Sequence, residues 1–348
     1  MTIELTPGRD VFSAPNSSDI IYTYDGNDTV WANGGNDIVY GGRDIDWLFG
    51  GSGNDKLYGR EGEDWLGGDI GNDVLDGGSG NDRMEGGEGN DAYYVHDAGD
   101  QVIEYANQGT DIVWVDIDQA SQGVNDAWGT YTLPNHVENL RTIGANEKPY
   151  YRVEGNDLDN VIFVNYGSNA RYSFFHGEGG NDTIYAGSTA TGFDTVYGGR
   201  GRDRIYGRSG RDQLHGEEGN DTLYGGHHND TLVGYDRADN TVSRNDRDFL
   251  TGGSGRDTFE LAQHSSGASV NRNPYAYGAG YAVIEDFNRN EDRIRLTWKG
   301  NMNGFSLGTG DFNSDGRTDT FIYYGSQNNL VGVVKSNTGL SLNASYFY

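Results

Sequence analysis

An aspartate stands at every ninth position over the first hundred residues, and carboxylates in such a row are able to bind metal ions. Stepping by nine from Asp55 reaches an aspartate each time, in both directions. The series is Asp10, Asp19, Asp28, Asp37, Asp46, Asp55, Asp64, Asp73, Asp82, Asp91 and Asp100. Hard cations take about six to eight oxygen ligands, from carboxylates and backbone carbonyls. The spacing therefore predicts repeated metal-ligand positions rather than a catalytic acid and base.

The repeating unit around these aspartates is clearest from Gly50 to Leu75, where it reads Gly-Gly-x-Gly-x-Asp-x-apolar-x. The glycines permit positive φ and a tight turn that a Cβ would block. Two residues beyond each aspartate lies a large side chain, in the order Phe12, Ile21, Val30, Val39, Leu48, Leu57, Leu66, Leu75, Met84, Tyr93 and Val102. We expect x-apolar-x to form a very short strand whose middle residue points inward. One nonapeptide would then be half a coil, and two would make a full turn of a flattened parallel solenoid.

Such a solenoid has very little hydrophobic core, because each half-coil buries one side chain. That burial contributes about 1.5–3 kcal/mol. Ordering the backbone costs about 1–2 kcal/mol for every residue of the unit. Burial alone does not stabilise the unit, so we expect metal ions between the carboxylates to supply the missing stabilisation.

The nonapeptide resembles the repeats-in-toxin (RTX) motif, GGxGxDxUx, of secreted calcium-binding β-roll proteins. The resemblance implies an all-β fold, a parallel β-roll or right-handed β-solenoid, with Ca²⁺ between successive loops on each edge. It also implies a ligand shell made by an Asp from each of two neighbouring loops and by backbone carbonyls. The ligands predicted in the first block are Asp28, Asp37, Asp46, Asp55, Asp64, Asp73, Asp82 and Asp91. The units ending at Asp10 and Asp100 are degenerate, and we expect them to bind weakly or to act as caps.

A second block of the same unit begins at Asp182 and keeps the nine-residue step from Asp194 to Asp257. Its predicted Ca²⁺ ligands are Asp182, Asp194, Asp203, Asp212, Asp221, Asp230, Asp248 and Asp257. Asp239 lies on the same step, but its inward partner is the weak Thr241, so we expect the repeat to be loosest there.

These features divide the sequence into four parts. We predict an N-terminal RTX block over 1–104, a β spacer that continues the solenoid over 105–176, a second RTX block over 177–260 and a C-terminal cap over 261–348. The string YTLPNHVENL in the spacer is similar to one found between the repeat blocks of many RTX exoproteins. A separate small β domain is the alternative for the spacer.

The cap contains a further candidate calcium loop, DFNSDGRTD, at 311–319. Its oxygen ligands would be Asp311, Asn313, Asp315 and Asp319, with Gly316 at the sharp turn. The twelfth-place glutamate of an EF-hand is replaced by Ile322, so the loop resembles the shorter DxNxDGxxD type. A polar hairpin turn is the alternative. The aromatic C-terminal tail is consistent with a secretion signal.

Charge and composition narrow the functional class. The net charge of −28 disfavours nucleic acid as a partner, and divalent cations would relieve the self-repulsion. The chain has no cysteine, and it contains no apolar run long enough to span a membrane and no N-terminal signal of the Sec type. None of its 7 histidines precedes a glutamate, which excludes the HExxH zinc proteases. We also expect no lipase-type nucleophile elbow, and hence no enzyme.

The sequence thus favours a secreted, extracellular calcium-binding protein that folds on binding several Ca²⁺ ions and has a structural or interaction role. Export by a type I secretion machinery is implied by the resemblance. One alternative is an adhesin that binds polysaccharide or a cell surface through outward aromatic ladders, with Trp31, Trp47, Phe49 and Trp65 on one face. The opposite face has Tyr22, Tyr40, Tyr58 and Tyr94. A ladder that packs against other protein, or a non-catalytic partner of a polysaccharide-modifying enzyme, also fits.

Overall fold

Short parallel strands, stacked one coil above the next, account for most of the described residues. The computed structural model describes residues 1–116, 129–143, 150–165, 172–188, 192–235, 246–261, 280–296, 305–324, 329–342 and 344–347. The chain divides into two units, Met1–Ala170 and Arg171–Tyr348. Among the described residues, no helix is both long and apolar enough to cross a membrane.

In the first unit the strands alternate between two sides of a flattened coil. One side contains β1 (Thr2–Glu4), β3 (Ile20–Asp25), β5 (Ile38–Arg43), β7 (Lys56–Glu61), β9 (Val74–Ser79), β11 (Ala92–Val95), β13 (Ile112–Asp116), β15 (Asn139–Ile143) and β17 (Val161–Phe163). The other side contains β2 (Val11–Ser13), β4 (Thr29–Trp31), β6 (Trp47–Ser52), β8 (Trp65–Ile70), β10 (Arg83–Glu88) and β12 (Gln101–Ile103). The strands β14 (Gly129–Thr132) and β16 (Tyr150–Glu154) form a further parallel pair.

The strand register confirms that two nonapeptides make one coil. Ile38 of β5 pairs with Ile20 of β3 and with Lys56 of β7, which is one coil of 18 residues in each direction. The strands are parallel throughout these pairs. Parallel strands need a crossover, and here the opposite strand of the same coil supplies it.

The strands are longer than the predicted three residues. β5, for example, has 6 residues and includes Gly41 and Gly42, which belong to the glycine turn of the following unit. The reason is that Gly42 and Arg43 still pair with the adjacent coils, so the backbone turns only after them. The residue at the corner, Asp44, has a φ of +74°.

The predicted inward residues form the core of the repeat region. Those from Ile21 to Tyr93 in the first block are fully buried, at 0% exposure. Their neighbours in each strand are more exposed, as the alternation of a pleated strand requires. Phe12 and Val102, in the degenerate end units, are only half-buried.

Within the first unit the parallel stack continues beyond β11, with longer coils. Ile112 pairs with Ala92 on one side and with Asn139 on the other, and Asn139 pairs with Val161. The extra residues lie between the strands, so the strand register is kept. The four boundaries given above remain predictions.

The second unit has the same alternation. One side contains β18 (Tyr172–His176), β20 (Phe193–Arg200), β22 (Gln213–Glu218), β24 (Thr231–Tyr235), β26 (Thr258–Glu260) and β28 (Arg293–Arg295). The other contains β19 (Thr183–Tyr185), β21 (Arg204–Ser209), β23 (Thr222–His227), β25 (Arg247–Ser254), β27 (Tyr281–Ile284) and β31 (Asn329–Val334), followed by β30 (Asp319–Tyr324) and β29 (Phe305–Gly310).

One coil of the second block is longer than the nine-residue step predicts. Thr222 of β23 pairs with Phe249 of β25, and Thr231 of β24 pairs with Thr258 of β26. Each pair is 27 residues apart, so a whole nonapeptide is inserted in this coil. Asp239 and Thr241 of that nonapeptide lie outside the described residues.

The C-terminal part closes the sheet with a change of direction. β31 pairs in parallel with β27, and then β30 and β29 follow as antiparallel neighbours. In the tail, the side chains of Tyr346 and Phe347 are buried, and Phe347 bridges to Ile294 of β28. This arrangement confirms the predicted β cap, which covers a strand edge that would otherwise be open to other chains.

The glycine turns yield a test of the coil geometry. At Gly53 the φ is +127°, and a Cβ would run into the carbonyl oxygen of Gly35 in the preceding coil. At Gly67, which is outside the left-handed region, a Cβ would meet only the ring of Phe49, at 3.0 Å. We expect Gly53→Ala to lower the free energy of unfolding by about 3 kcal/mol or more, and Gly67→Ala to change it by less than about 1 kcal/mol. Denaturant unfolding in saturating Ca²⁺ measures both, and similar effects would contradict the described turn.

Candidate metal centres

The repeated aspartates connect each coil to the next through one oxygen of the carboxylate. The backbone N–H of Asp46 donates to Oδ1 of Asp64 at 2.8 Å, and the N–H of Asp64 donates to Oδ1 of Asp82 at 2.8 Å. The first unit repeats this bond in the pairs Asp10–Asp28, Asp19–Asp37, Asp28–Asp46, Asp37–Asp55, Asp55–Asp73, Asp73–Asp91 and Asp82–Asp100. In the second unit the pairs are Asp182–Asp203, Asp194–Asp212, Asp203–Asp221, Asp212–Asp230, Asp221–Asp248 and Asp230–Asp257.

The second oxygen of most of these carboxylates is buried and accepts no hydrogen bond. This holds for Oδ2 of Asp28, Asp37, Asp46, Asp55, Asp64, Asp73, Asp82, Asp91, Asp212, Asp221, Asp230 and Asp257. Buried polar atoms in proteins nearly always have a partner, and a buried charge without one is very costly. The oxygens therefore require a ligand that the side chains themselves do not supply.

The first glycine of each unit opens the space that these oxygens face. A Cβ at Gly41 would lie 2.5 Å from Oδ2 of Asp46 and 2.8 Å from the carbonyl oxygen of Gly59 in the next coil. At Gly225 the same two distances, to Asp230 and Gly252, are 2.5 Å and 2.6 Å. A carboxylate oxygen and a carbonyl oxygen from adjacent coils thus converge where the side chain is missing. This donor set suits a hard cation such as Ca²⁺.

The electrostatics of the row also indicate a need for cations. Burial, together with the nearby charges of Asp64 and Asp28, raises the pKa of Asp46 to about 8. Burial likewise raises the pKa of Asp73 to about 7 and that of Asp64 to about 6. A divalent ion between the coils would reverse these shifts, because it favours the ionised carboxylates.

Comparison with protein families identifies both repeat blocks. A model described as the RTX calcium-binding nonapeptide repeat (4 copies) matches residues 16–48, 40–75, 61–93, 172–189, 176–214, 188–223, 206–240 and 242–261. These two blocks are RTX calcium-binding repeats. Their ion is Ca²⁺, and the buried aspartates are consistent with it. A search of curated proteins gave no match.

The structure places every predicted aspartate of the RTX blocks in one of four hydrogen-bonded rows, two in each unit. All of them, from Asp28 to Asp91 and from Asp182 to Asp257, are buried, with no more than 4% exposure. Their assignment as individual Ca²⁺ ligands remains a prediction. Asp19 was not among the predicted ligands, yet it is buried too and forms an ion pair with the N-terminal amine at 2.8 Å.

The late loop, 311–319, connects β29 to β30 and has a different arrangement. Both carboxylate oxygens of Asp311 accept backbone N–H groups of the same loop, from Asp315 and Gly316. Asp319 accepts from Phe312 and from Ser336. Both carboxylate oxygens of Asp311 and of Asp319 thus accept backbone N–H groups, which distinguishes this loop from the repeat sites. Calcium binding by Asp311, Asn313, Asp315 and Asp319 stays a prediction.

Several acidic residues that extend the rows were missed because they leave the nine-residue step. Asp91 donates its N–H to Asp111, and Asp111 in turn donates to Glu138. In the second unit Asp257 donates to Asp292. Asp111 and Asp292 are each followed two residues later by a buried apolar residue, Val113 or Ile294. The Asp-x-apolar pattern without the fixed spacing would have found these two, and Glu138, two residues before the buried Leu140, has the same pattern with glutamate in place of aspartate.

The expectation that the sequence lacks the Gly-x-Ser-x-Gly motif of a nucleophile elbow was wrong. Residues 304–308 read GFSLG, which has the Gly-x-Ser-x-Gly pattern. Ser306, however, lies within β29 and pairs with Tyr323 in the antiparallel strand β30. A nucleophile elbow needs a turn from a strand into a helix, and a hairpin strand does not provide it.

The raised pKa values predict a pH dependence of the calcium-free chain. The folded pKa values of Asp46, Asp64 and Asp73 lie above the unfolded value of about 3.9. The folded, metal-free coils therefore bind more protons, and their stability falls as the pH rises from about 4 through 8. We expect more β-structure by circular dichroism in EDTA at pH 5 than at pH 8.

The same linkage requires that Ca²⁺ displaces protons at neutral pH. The calorimetric enthalpy of Ca²⁺ binding at pH 7 should therefore depend on the ionisation enthalpy of the buffer. Equal enthalpies in two buffers of unlike ionisation enthalpy would contradict the raised pKa values.

Proposed function

We propose that this chain is a secreted protein that folds outside the cell on binding several Ca²⁺ ions and that it has a structural or interaction role without catalysis. The observation that carries the proposal is the row of buried carboxylate oxygens without hydrogen-bond partners. With little free Ca²⁺ such a row repels itself, and the net charge of −28 adds to the repulsion. With abundant Ca²⁺ each buried carboxylate gains a ligand, so binding free energy becomes folding free energy.

Export follows from the same chemistry. A chain that stays loose where Ca²⁺ is scarce is suited to passage through a type I secretion channel, the route typical of RTX proteins. The lack of cysteine also removes disulfides that would have to form after export.

A calcium titration followed by circular dichroism tests this proposal. The chain in EDTA should lack most of its β-structure at pH 7.5 and regain it cooperatively as Ca²⁺ is added. Asp64→Asn should shift the midpoint to higher Ca²⁺, because it removes a charge from the middle of a row while keeping the shape of the side chain.

Asp10→Asn is the matched control. It makes the same change of charge, but Oδ2 of Asp10 accepts local hydrogen bonds from the N–H and the hydroxyl of Thr6. We expect little effect from this variant. Full structure after exhaustive removal of metal, or equal shifts from the two variants, would overturn the proposal.

A second candidate function, binding of extracellular polysaccharide, is favoured by the aromatic faces of the first block. Tyr22, Tyr40 and Tyr58 stack at 4.9 and 5.0 Å on one side, as expected from their places in the sequence. On the other side the ring centroids of Trp47 and Trp65 are 5.1 Å apart, with the rings tilted by 60°, and Trp47 is 47% exposed. Exposed aromatic rings in such rows offer apolar faces to sugars.

Binding to immobilised acidic and neutral glycans tests this second function. The double variant Trp47→Ala, Trp65→Ala should reduce binding at least about tenfold while Ca²⁺-dependent folding is kept. Val161→Ala is the control, since Val161 is an exposed apolar residue in β17, on the side of the coil opposite to the tryptophans. Glycan binding that survives loss of both tryptophans, or no glycan binding by the parent chain, would exclude the polysaccharide-binding function.

A further inference from the structure

The last coil of the first RTX block replaces a backbone ligand with an acidic side chain. A Cβ at Gly68 would face the carbonyl oxygen of Gly86 in the next coil, at 2.6 Å. The equivalent position one coil further on is Gly86, where a Cβ would instead lie 2.7 Å from Oε1 of Glu104. Glu104 thus occupies the place of the first glycine of a repeat and points its carboxylate into the row.

Three carboxylates meet at this position. The ligand oxygens of Asp91, Glu104 and Asp111 lie within 4.8 Å of one another, and within the described ranges this is the only such group of three acidic, histidine or cysteine residues. The exposed fractions are 1% for Asp91, 6% for Glu104 and 1% for Asp111. Asp91 and Asp111 come from adjacent coils and are connected by the bond from the Asp91 N–H to Asp111 Oδ1, at 2.8 Å.

The group contains oxygens that need a cation. Oδ2 of Asp91 and Oε2 of Glu104 are buried and accept no hydrogen bond. No described lysine, arginine or histidine forms an ion pair with any of the three residues. The hydroxyl of Tyr93, itself fully buried, donates to Oε1 of Glu104 and so fixes the direction of this side chain.

We propose that Asp91, Glu104 and Asp111 form a Ca²⁺ site of their own kind, which binds more tightly than the repeat sites and is filled first in the first block. Its third carboxylate adds charge where the repeat sites have a neutral carbonyl, and the affinity of oxygen sites for Ca²⁺ increases with the number of charged ligands. Tyr93 is a positioning residue, because it holds Glu104 before the ion arrives. The inference rests on the proposed function, since it names the site at which calcium-driven folding begins.

Glu104→Gln in the full chain tests the site. The variant removes the charge, but its amide oxygen still accepts the hydrogen bond from Tyr93. Titration with Ca²⁺ in competition with a chromophoric chelator should show, in the parent chain, one ion bound at free Ca²⁺ about tenfold or more below the rest. In Glu104→Gln this first step should weaken by about tenfold or more and merge with the later ones.

Glu88→Gln is the matched control, because Glu88 is an exposed glutamate at the end of β10 and the change of charge is the same. It should leave the first step unchanged. If Glu104→Gln does not refold at high Ca²⁺, Glu104→Asp decides, since it keeps the charge and withdraws it by one methylene, and a weakened first step is then expected.

The outcomes separate this inference from the proposed function. No Ca²⁺ uptake by the parent chain would overturn the proposed function. Uptake of several ions by the parent chain, with the same first step in Glu104→Gln and Glu88→Gln, would overturn the three-carboxylate site alone. A parent chain whose ions all bind with one affinity would overturn it as well.

Discussion

One arrangement of a carboxylate determines the rest of this fold. In Asp46, Asp64 and ten further repeat aspartates, one carboxylate oxygen accepts a backbone N–H of the preceding coil, while the other oxygen is buried and accepts no hydrogen bond. The first contact fixes the distance between coils, and the second creates a demand for a cation. Because each half-coil buries a single apolar side chain, the hydrophobic core of the repeat is small and contributes only about 1.5–3 kcal/mol per unit.

The glycine pattern follows from this demand. The first glycine of a unit leaves space beside the carboxylate oxygen, as Gly41 does for Asp46. The second and fourth bring the backbone against carbonyl oxygens of the preceding coil, as Gly53 does against Gly35. A Cβ at Gly41 or Gly53 would fill the space between the coils, whereas the second place of other units accommodates Arg60 and Asp69 at φ values of +81° and +74°. At Gly41 the approach of the next coil excludes a side chain, and at Gly53 the positive φ also favours glycine.

Much of the fold could be predicted from the nine-residue period. In this solenoid two periods make one coil, and residues one coil apart pair in adjacent strands, so the period also sets the strand register. The inward residues from Ile21 to Tyr93 and the coil of two units are confirmed by the structure. The period could not predict where extra residues interrupt the repeat while the parallel strands continue to pair. Asp221 bonds to Asp248 across an inserted nonapeptide, and Asp91 bonds to Asp111 across a longer loop. Residues added between strands do not alter the register, so a fixed step cannot detect them.

At the ends of the aspartate rows, the backbone N–H groups still have an acidic acceptor one coil further on, although the nonapeptide motif has ended. Every backbone N–H in a row needs an acceptor one coil further on, including those of the last repeat units. Asp111 finds it in Glu138, and Asp257 finds it in Asp292, although neither acceptor belongs to a recognisable nonapeptide. An acidic side chain is therefore retained at the geometric position even where the glycines and the spacing are lost. Glu104 likewise keeps an oxygen at the first glycine place of the unit. There its carboxylate replaces the backbone carbonyl of the earlier coils, so the last coil of the block has one more negative charge at this position.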